Sequence, residues 1–134
     1  MAPPRCVQDV LHALLGPAGK SDAALRLAIF DLTRTPAGKA GELPCPTVLA
    51  ALMEKIADRP WTVSDEDFTK LRAEGYSEDQ IFELTTAAAA GAGMRRLDAG
   101  WRALEAAGSQ AENSYQGAAS IPSMASHRGE AGGQ

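Results

Sequence analysis

The chain has 134 residues and a net charge of −4, with 13 basic and 17 acidic side chains. This length allows one domain with a single modest core. Because the sequence has neither a basic stripe nor an aromatic platform, we expect no nucleic acid among its partners. No apolar run approaches the roughly 18 residues of a membrane span, and residues 1–15 make a poor signal peptide. These features predict a soluble, cytoplasmic protein that does not bind membranes.

Apolar residues recur at helical spacing through the first half of the chain. Three helices are predicted from this periodicity, over residues 7–15, 21–33 and 46–59. Ser21 is the expected N-cap of the second helix. Pro46 is expected to open the third, because the first turn of a helix leaves that N–H unpaired in any case. The prolines and glycines of residues 35–46 predict a loop between the second and third helices.

Capping signals dominate the second half. Two capping boxes predict the starts of two further helices: Ser64 with Asp67, and Ser77 with Gln80. Gly75 is placed to end the first of them in a left-handed conformation. The second is predicted to run from residue 78 to about residue 107. No strand pattern is present, so the predicted fold is all-α, a small bundle of about five helices with one long C-terminal helix.

The composition changes near residue 109. Residues 1–108 are predicted to form the helical domain, in which Trp61 is expected to pack into the core. Residues 109–134 are rich in Gly, Ser and Ala and hold few large apolar groups. They are predicted to be a flexible tail, because burial of so little apolar surface does not offset the entropy of ordering the chain.

A run of small residues, 87–93, lies inside the long predicted helix. Each glycine in a helix costs about 1 kcal/mol relative to alanine, which is understandable if another helix approaches closely or a small-molecule ligand fills the space. We favour helix packing or a subunit contact. The residues expected to form it are Ala88, Gly91, Gly93, Met94, Leu97 and Trp101.

Few residues offer reactive chemistry. Cys6 and Cys45 are expected to be inert thiols, although the sequence leaves open whether they meet in space. His12 has no partner at i+3 or i+4, so no metal site is predicted, and no cofactor is expected. Glu83, near the start of the long helix, is a candidate acid–base residue with a capping or solvated role as the alternative.

Four motifs in the second half of the sequence form a pattern that is similar to that of a known family. The motifs are VSDED at residues 63–67, GYSEDQIFEL at 75–84, AAAGAG at 88–93 and RRL at 95–97. In this arrangement the chain resembles the alkylhydroperoxidase-D-like (carboxymuconolactone decarboxylase-like) superfamily. The resemblance implies an all-helical protomer that assembles into trimers or hexamers.

The chain departs from this family in its chemistry. The redox branch uses a C-x-x-C pair with a nearby histidine, since one thiol must become a thiolate within reach of the other. Neither feature is present in the resembling region, and no cysteine or histidine lies between residues 46 and 127. The resemblance therefore implies a divergent member without the redox motif. The decarboxylase branch uses acid–base groups, for which Glu83 and Arg96 match positions of the helical pattern.

Two hypotheses follow. The first is a non-redox binding or assembly module whose small-residue helix is its packing surface. The second is an enzyme with a pocket between helices, using either acid–base chemistry or the thiols of Cys6 and Cys45. We favour the first, because no activated nucleophile is visible in the sequence.

Overall fold

The computed structural model describes residues 2–36 and 45–119. Within them the chain forms five α-helices, one 3-10 helix and no β-strand. The α-helices are α1 (Arg5–Leu15), α2 (Ala23–Arg34), α3 (Thr47–Asp58), α4 (Asp65–Ala73) and α5 (Glu78–Ala119), with the 3-10 helix Pro60–Thr62 after α3. The all-α prediction is confirmed for these residues. Most of the predicted loop, residues 37–44, lies outside them.

The predicted capping chemistry is present at α4 and α5. The Ser64 amide donates to the Asp67 carboxylate at 3.0 Å, which closes the first capping box. In the second, the Ser77 amide donates to Gln80 Oε1 at 2.9 Å, and the Gln80 amide donates to Ser77 Oγ at 3.2 Å. Gly75 has a φ of 95°, which an L residue rarely adopts. These local signals explain why both helices begin where the sequence predicts.

Three details differ from the predictions. Asp22, not Ser21, caps α2, its side chain accepting from the Ala24 amide at 3.1 Å. Trp61 is 78% exposed instead of packing into the core, and it lies in the short 3-10 helix Pro60–Thr62 between α3 and α4. The last helix continues to Ala119 rather than ending near residue 107.

The core lies where α2, α3, α4 and the first part of α5 meet. Its buried members are Ile29, Leu49, Leu52, Met53, Leu71, Ile81, Leu84, Ala87 and Ala88. Leu25, Val48 and Phe68 are half-buried against it. In α1, by contrast, no residue is fully buried. The core therefore depends on four helices, and α1 contributes only a half-buried face.

The described residues divide into two compact units, one up to Trp101 and one from Arg102 onward. The core belongs to the first. In the second, residues 102–118 are helical and exposed. The predicted tail is thus helical from residue 109 to Ala119, and the rest of it lies beyond the described residues. Nowhere in residues 2–36 and 45–119 is a helix both long and apolar enough to cross a membrane.

Candidate functional site

A buried arginine on α2 organises the region around Glu83. Arg26 is only 1% exposed. It shares the face of α2 that carries Ile29 and Phe30, three and four residues further along, because helical positions at this spacing lie above one another. An arginine is almost never buried unless its N–H groups find acceptors. We define the Arg26 cluster as Gly19, Ser21, Arg26 and Glu83.

The Arg26 guanidinium holds the segment between α1 and α2. Its Nε donates to the Leu14 carbonyl at 3.0 Å, and its Nη2 donates to the carbonyls of Gly16 and Ala18. Its Nη1 donates to the Ser21 carbonyl at 2.7 Å and to Ser21 Oγ at 2.8 Å. Arginine has five N–H donors, and residues 14–21 supply acceptors for all of them. This side chain therefore fixes the path of the backbone.

Glu83 connects the same segment to α5. Its Oε1 accepts from the Lys20 amide at 2.8 Å. Its Oε2 accepts from the Ser21 amide at 2.8 Å and the Ser21 hydroxyl at 2.5 Å, with Arg26 Nη1 at 3.2 Å. The Ser21 hydroxyl, aided by the two amides, lowers the pKa of Glu83 to about 2. A general acid or base works best with a pKa near the operating pH, so this carboxylate is better suited to anchoring than to proton transfer.

Gly19 allows the cluster to close. Its φ of 128° is one that L side chains rarely adopt. A Cβ at this position would lie 2.9 Å from both Arg26 Nη1 and Glu83 Oε2. The sequence predictions included Glu83 but missed Arg26 and Gly19. The available signal was an arginine placed on the apolar face of a predicted helix.

The two cysteines are free thiols with different surroundings. Cys6 is exposed in the first turn of α1, while Cys45 is half-buried against the core. Burial raises the pKa of the Cys45 thiol, which opposes formation of a nucleophilic thiolate. His12 is exposed in the last turn of α1. Among the described residues, no three His, Cys, Asp or Glu side chains are grouped to hold a metal ion.

The small-residue run of α5 has an inner and an outer side. On the inner side, Ala88, Gly91 and Met94 are buried. A Cβ at Gly91 would overlap Thr33 Oγ1 and the Phe30 carbonyl oxygen. Here the missing side chain lets the backbones of α2 and α5 come close together.

The outer side is exposed. We define the outer face of α5 as Phe82, Thr86, Ala89, Gly93 and Leu97, which follow one another at spacings of three or four residues. Phe82 is 71% exposed and Leu97 45% exposed, and a Cβ at Gly93 would have no neighbour within 4 Å. The outer face has no charged side chain. The predicted contact residues therefore do not share one side of α5. Gly93 and Leu97 are exposed on its outer side, whereas Ala88, Gly91 and Met94 are buried on its inner side, and Trp101 is half-buried.

Two arginines of α5 bind the end of α3. Arg95 donates to Asp58 Oδ1 at 2.7 Å, and Arg96 donates to the Ala57 carbonyl at 2.7 Å. Cations at a helix C-terminus satisfy its unpaired carbonyls and its dipole. These contacts hold α3 beside α5 and leave Arg96 exposed near the edge of the outer face.

Comparison with family models, curated proteins and solved structures gives no match to this chain.

Proposed function

We propose that this chain is a non-redox, alkylhydroperoxidase-D-like helical module that works by assembly with protein partners, its own copies above all. The contact surface is the outer face of α5. The helices behind that face act as a scaffold that holds it in a fixed shape.

The observation that carries this proposal is the pair of exposed apolar side chains on the outer face of α5, Phe82 and Leu97, with Gly93 between them in the chain. A helical glycine costs about 1 kcal/mol relative to alanine. At Gly91 that cost is compensated by the close approach of α2, whereas the space around Gly93 is open, as it is around Gly100, Gly108 and Gly117 further along α5. Phe82 and Leu97 lie exposed on the same side of the helix. A partner chain packed across Gly93 would bury both apolar side chains. It could also approach the helix backbone closely, because Gly93 has no side chain.

The enzyme hypothesis has less support from the same geometry. Both carboxylate oxygens of Glu83 already accept hydrogen bonds within the Arg26 cluster. The raised pKa of Cys45 works against a thiolate. Loss of peroxide reduction in a Cys6→Ser/Cys45→Ser variant would be the result that favours the thiol enzyme instead.

Sedimentation velocity across a range of concentrations tests the proposal. We expect the full chain to form a species larger than the monomer, and we expect Leu97→Glu and Phe82→Glu each to shift it toward monomer with unchanged helical circular dichroism. The matched control is Val10→Glu, since Val10 is a comparably exposed apolar residue, at 65%, on a different helix, α1. A chain that stays monomeric at high concentration, or a control that dissociates as readily, would overturn the proposal.

A further inference from the structure

We infer that the outer face of α5 binds the same face of a second copy, with the two helices antiparallel about a two-fold axis near residue 87. This rests on the proposed function, since it specifies the partner and its orientation. An isologous contact of this kind requires a surface that is complementary to itself. Both the charges and the shape of the outer face meet that requirement.

The charges beside the outer face favour the antiparallel arrangement. Glu78 and Arg96 are eighteen residues apart, five turns at about 3.6 residues per turn, so they lie on the same side of α5. A two-fold axis perpendicular to the helices brings like sides together with their ends reversed. Glu78 of each copy then meets Arg96 of the other. Each has one partner of its own, Arg72 for Glu78 and the Ala57 carbonyl for Arg96, and each is exposed.

A parallel pair would meet an electrostatic penalty. Glu78 and Asp79 both lie in the first turn of α5, so parallel helices would bring four carboxylates to one end. Aligned helix dipoles would add to that repulsion, whereas antiparallel dipoles attract. Charge therefore selects the orientation, as it does at other interfaces where like charges exclude wrong pairings.

The shape of the outer face fits the same register. With the axis near residue 87, Phe82 of one copy lies at the height of residue 92 of the other, next to Gly93. The open space at Gly93 can receive the phenyl ring, which is 71% exposed in the protomer. Because the axis relates the copies, each interface contains this contact twice. A large side chain against a glycine is the complementarity that closely packed helices need.

A charge exchange tests this arrangement, with dimer dissociation constants measured by sedimentation at low salt. We expect Glu78→Arg and Arg96→Glu each to weaken the dimer about tenfold, since two ion pairs become two repulsions. The double variant should return to within about twofold of the original. Glu78→Gln gives an intermediate loss and guards against a folding defect at α5. Failure of the double variant to recover would overturn the pairing.

An engineered cysteine tests the orientation independently. In a Cys6→Ser/Cys45→Ser background, which removes both native thiols, Gly93→Cys places two thiols about 18 Å apart along the axis of an antiparallel pair, too far for a disulfide. We expect no crosslinked dimer on oxidation. Efficient crosslinking would overturn the antiparallel arrangement while leaving association through the outer face intact. Absence of any association would instead overturn the proposed function itself.

Discussion

Gly91 and Gly93 are two residues apart on the same helix, and their surroundings are opposite. Gly91 faces α2 so closely that a methyl group there would overlap Thr33 and the Phe30 carbonyl, whereas Gly93 faces open space. Two residues turn an α-helix by about 200°, so of two positions this far apart one can face the core while the other faces away from it. The role of a small residue therefore depends on which side of α5 it occupies, and each side can be tested separately.

The largest effect is expected at the buried Arg26 of α2, the helix that the inner side of α5 faces, from Arg26→Met. This change removes the donor that holds residues 14–21, so the carbonyl oxygens of Leu14, Ala18 and Ser21 lose it, the last of them in a buried hydrogen bond. Loss of one partner from a buried ionic network typically costs about 3–5 kcal/mol. The free energy of unfolding from urea denaturation measures it. Arg34→Met is the matched control: Arg34 pairs with Asp98 at the surface, so its loss should cost less than about 1 kcal/mol.

Gly91→Ala should destabilise the protein by about 1–3 kcal/mol. The added methyl forces α2 and α5 apart, and overpacking of this kind exceeds the gain in helix propensity. Thermal unfolding followed by circular dichroism gives the change. An unaltered or raised melting temperature would contradict the close packing of α2 and α5 described above.

A further effect should appear as a dependence of the unfolding free energy on pH. Because the folded pKa of Glu83 is about 2, against an ordinary value of 4.5, its contribution is fully present above about pH 4.5 and is lost as the pH falls toward 2. Glu83→Gln should flatten this part of the curve of unfolding free energy against pH. Glu54→Gln, at an exposed position of α3, should leave the curve unchanged. If both variants flattened the curve equally, Glu83 would not be the cause of the pH dependence.

The smallest effect, and one of opposite sign, is expected at Gly93. In dilute solution Gly93→Ala should raise the free energy of unfolding by up to about 1 kcal/mol, because alanine has the higher helix propensity and nothing obstructs its methyl group. That gain should shrink as the protein concentration rises, since the methyl group also separates associated chains. Urea midpoints at two concentrations measure both parts. A loss of stability in dilute solution would contradict the open surroundings of Gly93.

Local chemistry allowed most of the helices to be predicted. The capping boxes at Ser64 and Ser77 and the glycine at position 75 act within a few residues of themselves, so sequence spacing is enough to recognise them. The end of α5 was missed because residues 109–119 carry no apolar stripe to extend the pattern. Trp61 was wrongly predicted to be buried, because tryptophan is highly buried on average, whereas here it lies exposed in the 3-10 helix Pro60–Thr62.

The Arg26 cluster could be predicted only in part. Ser21 looked like an N-cap because a serine before an apolar run usually is one. Its actual partner, Glu83, is 62 residues away in the chain, and no periodicity connects the two. The division of α5 into two sides could be derived from helical geometry, but which side faces the core depends on where α2 lies.

The attachment of α1 has a consequence for the order in which the chain opens. This helix contributes no fully buried residue, yet the backbone immediately after it is held by the Arg26 cluster. Amide protons of α1 should therefore exchange with solvent long before those of α3, with the boundary of fast exchange near Leu14. The hydrogen bonds of the Arg26 guanidinium would then limit fraying to α1. That helix would open readily, whereas the core would open only on global unfolding.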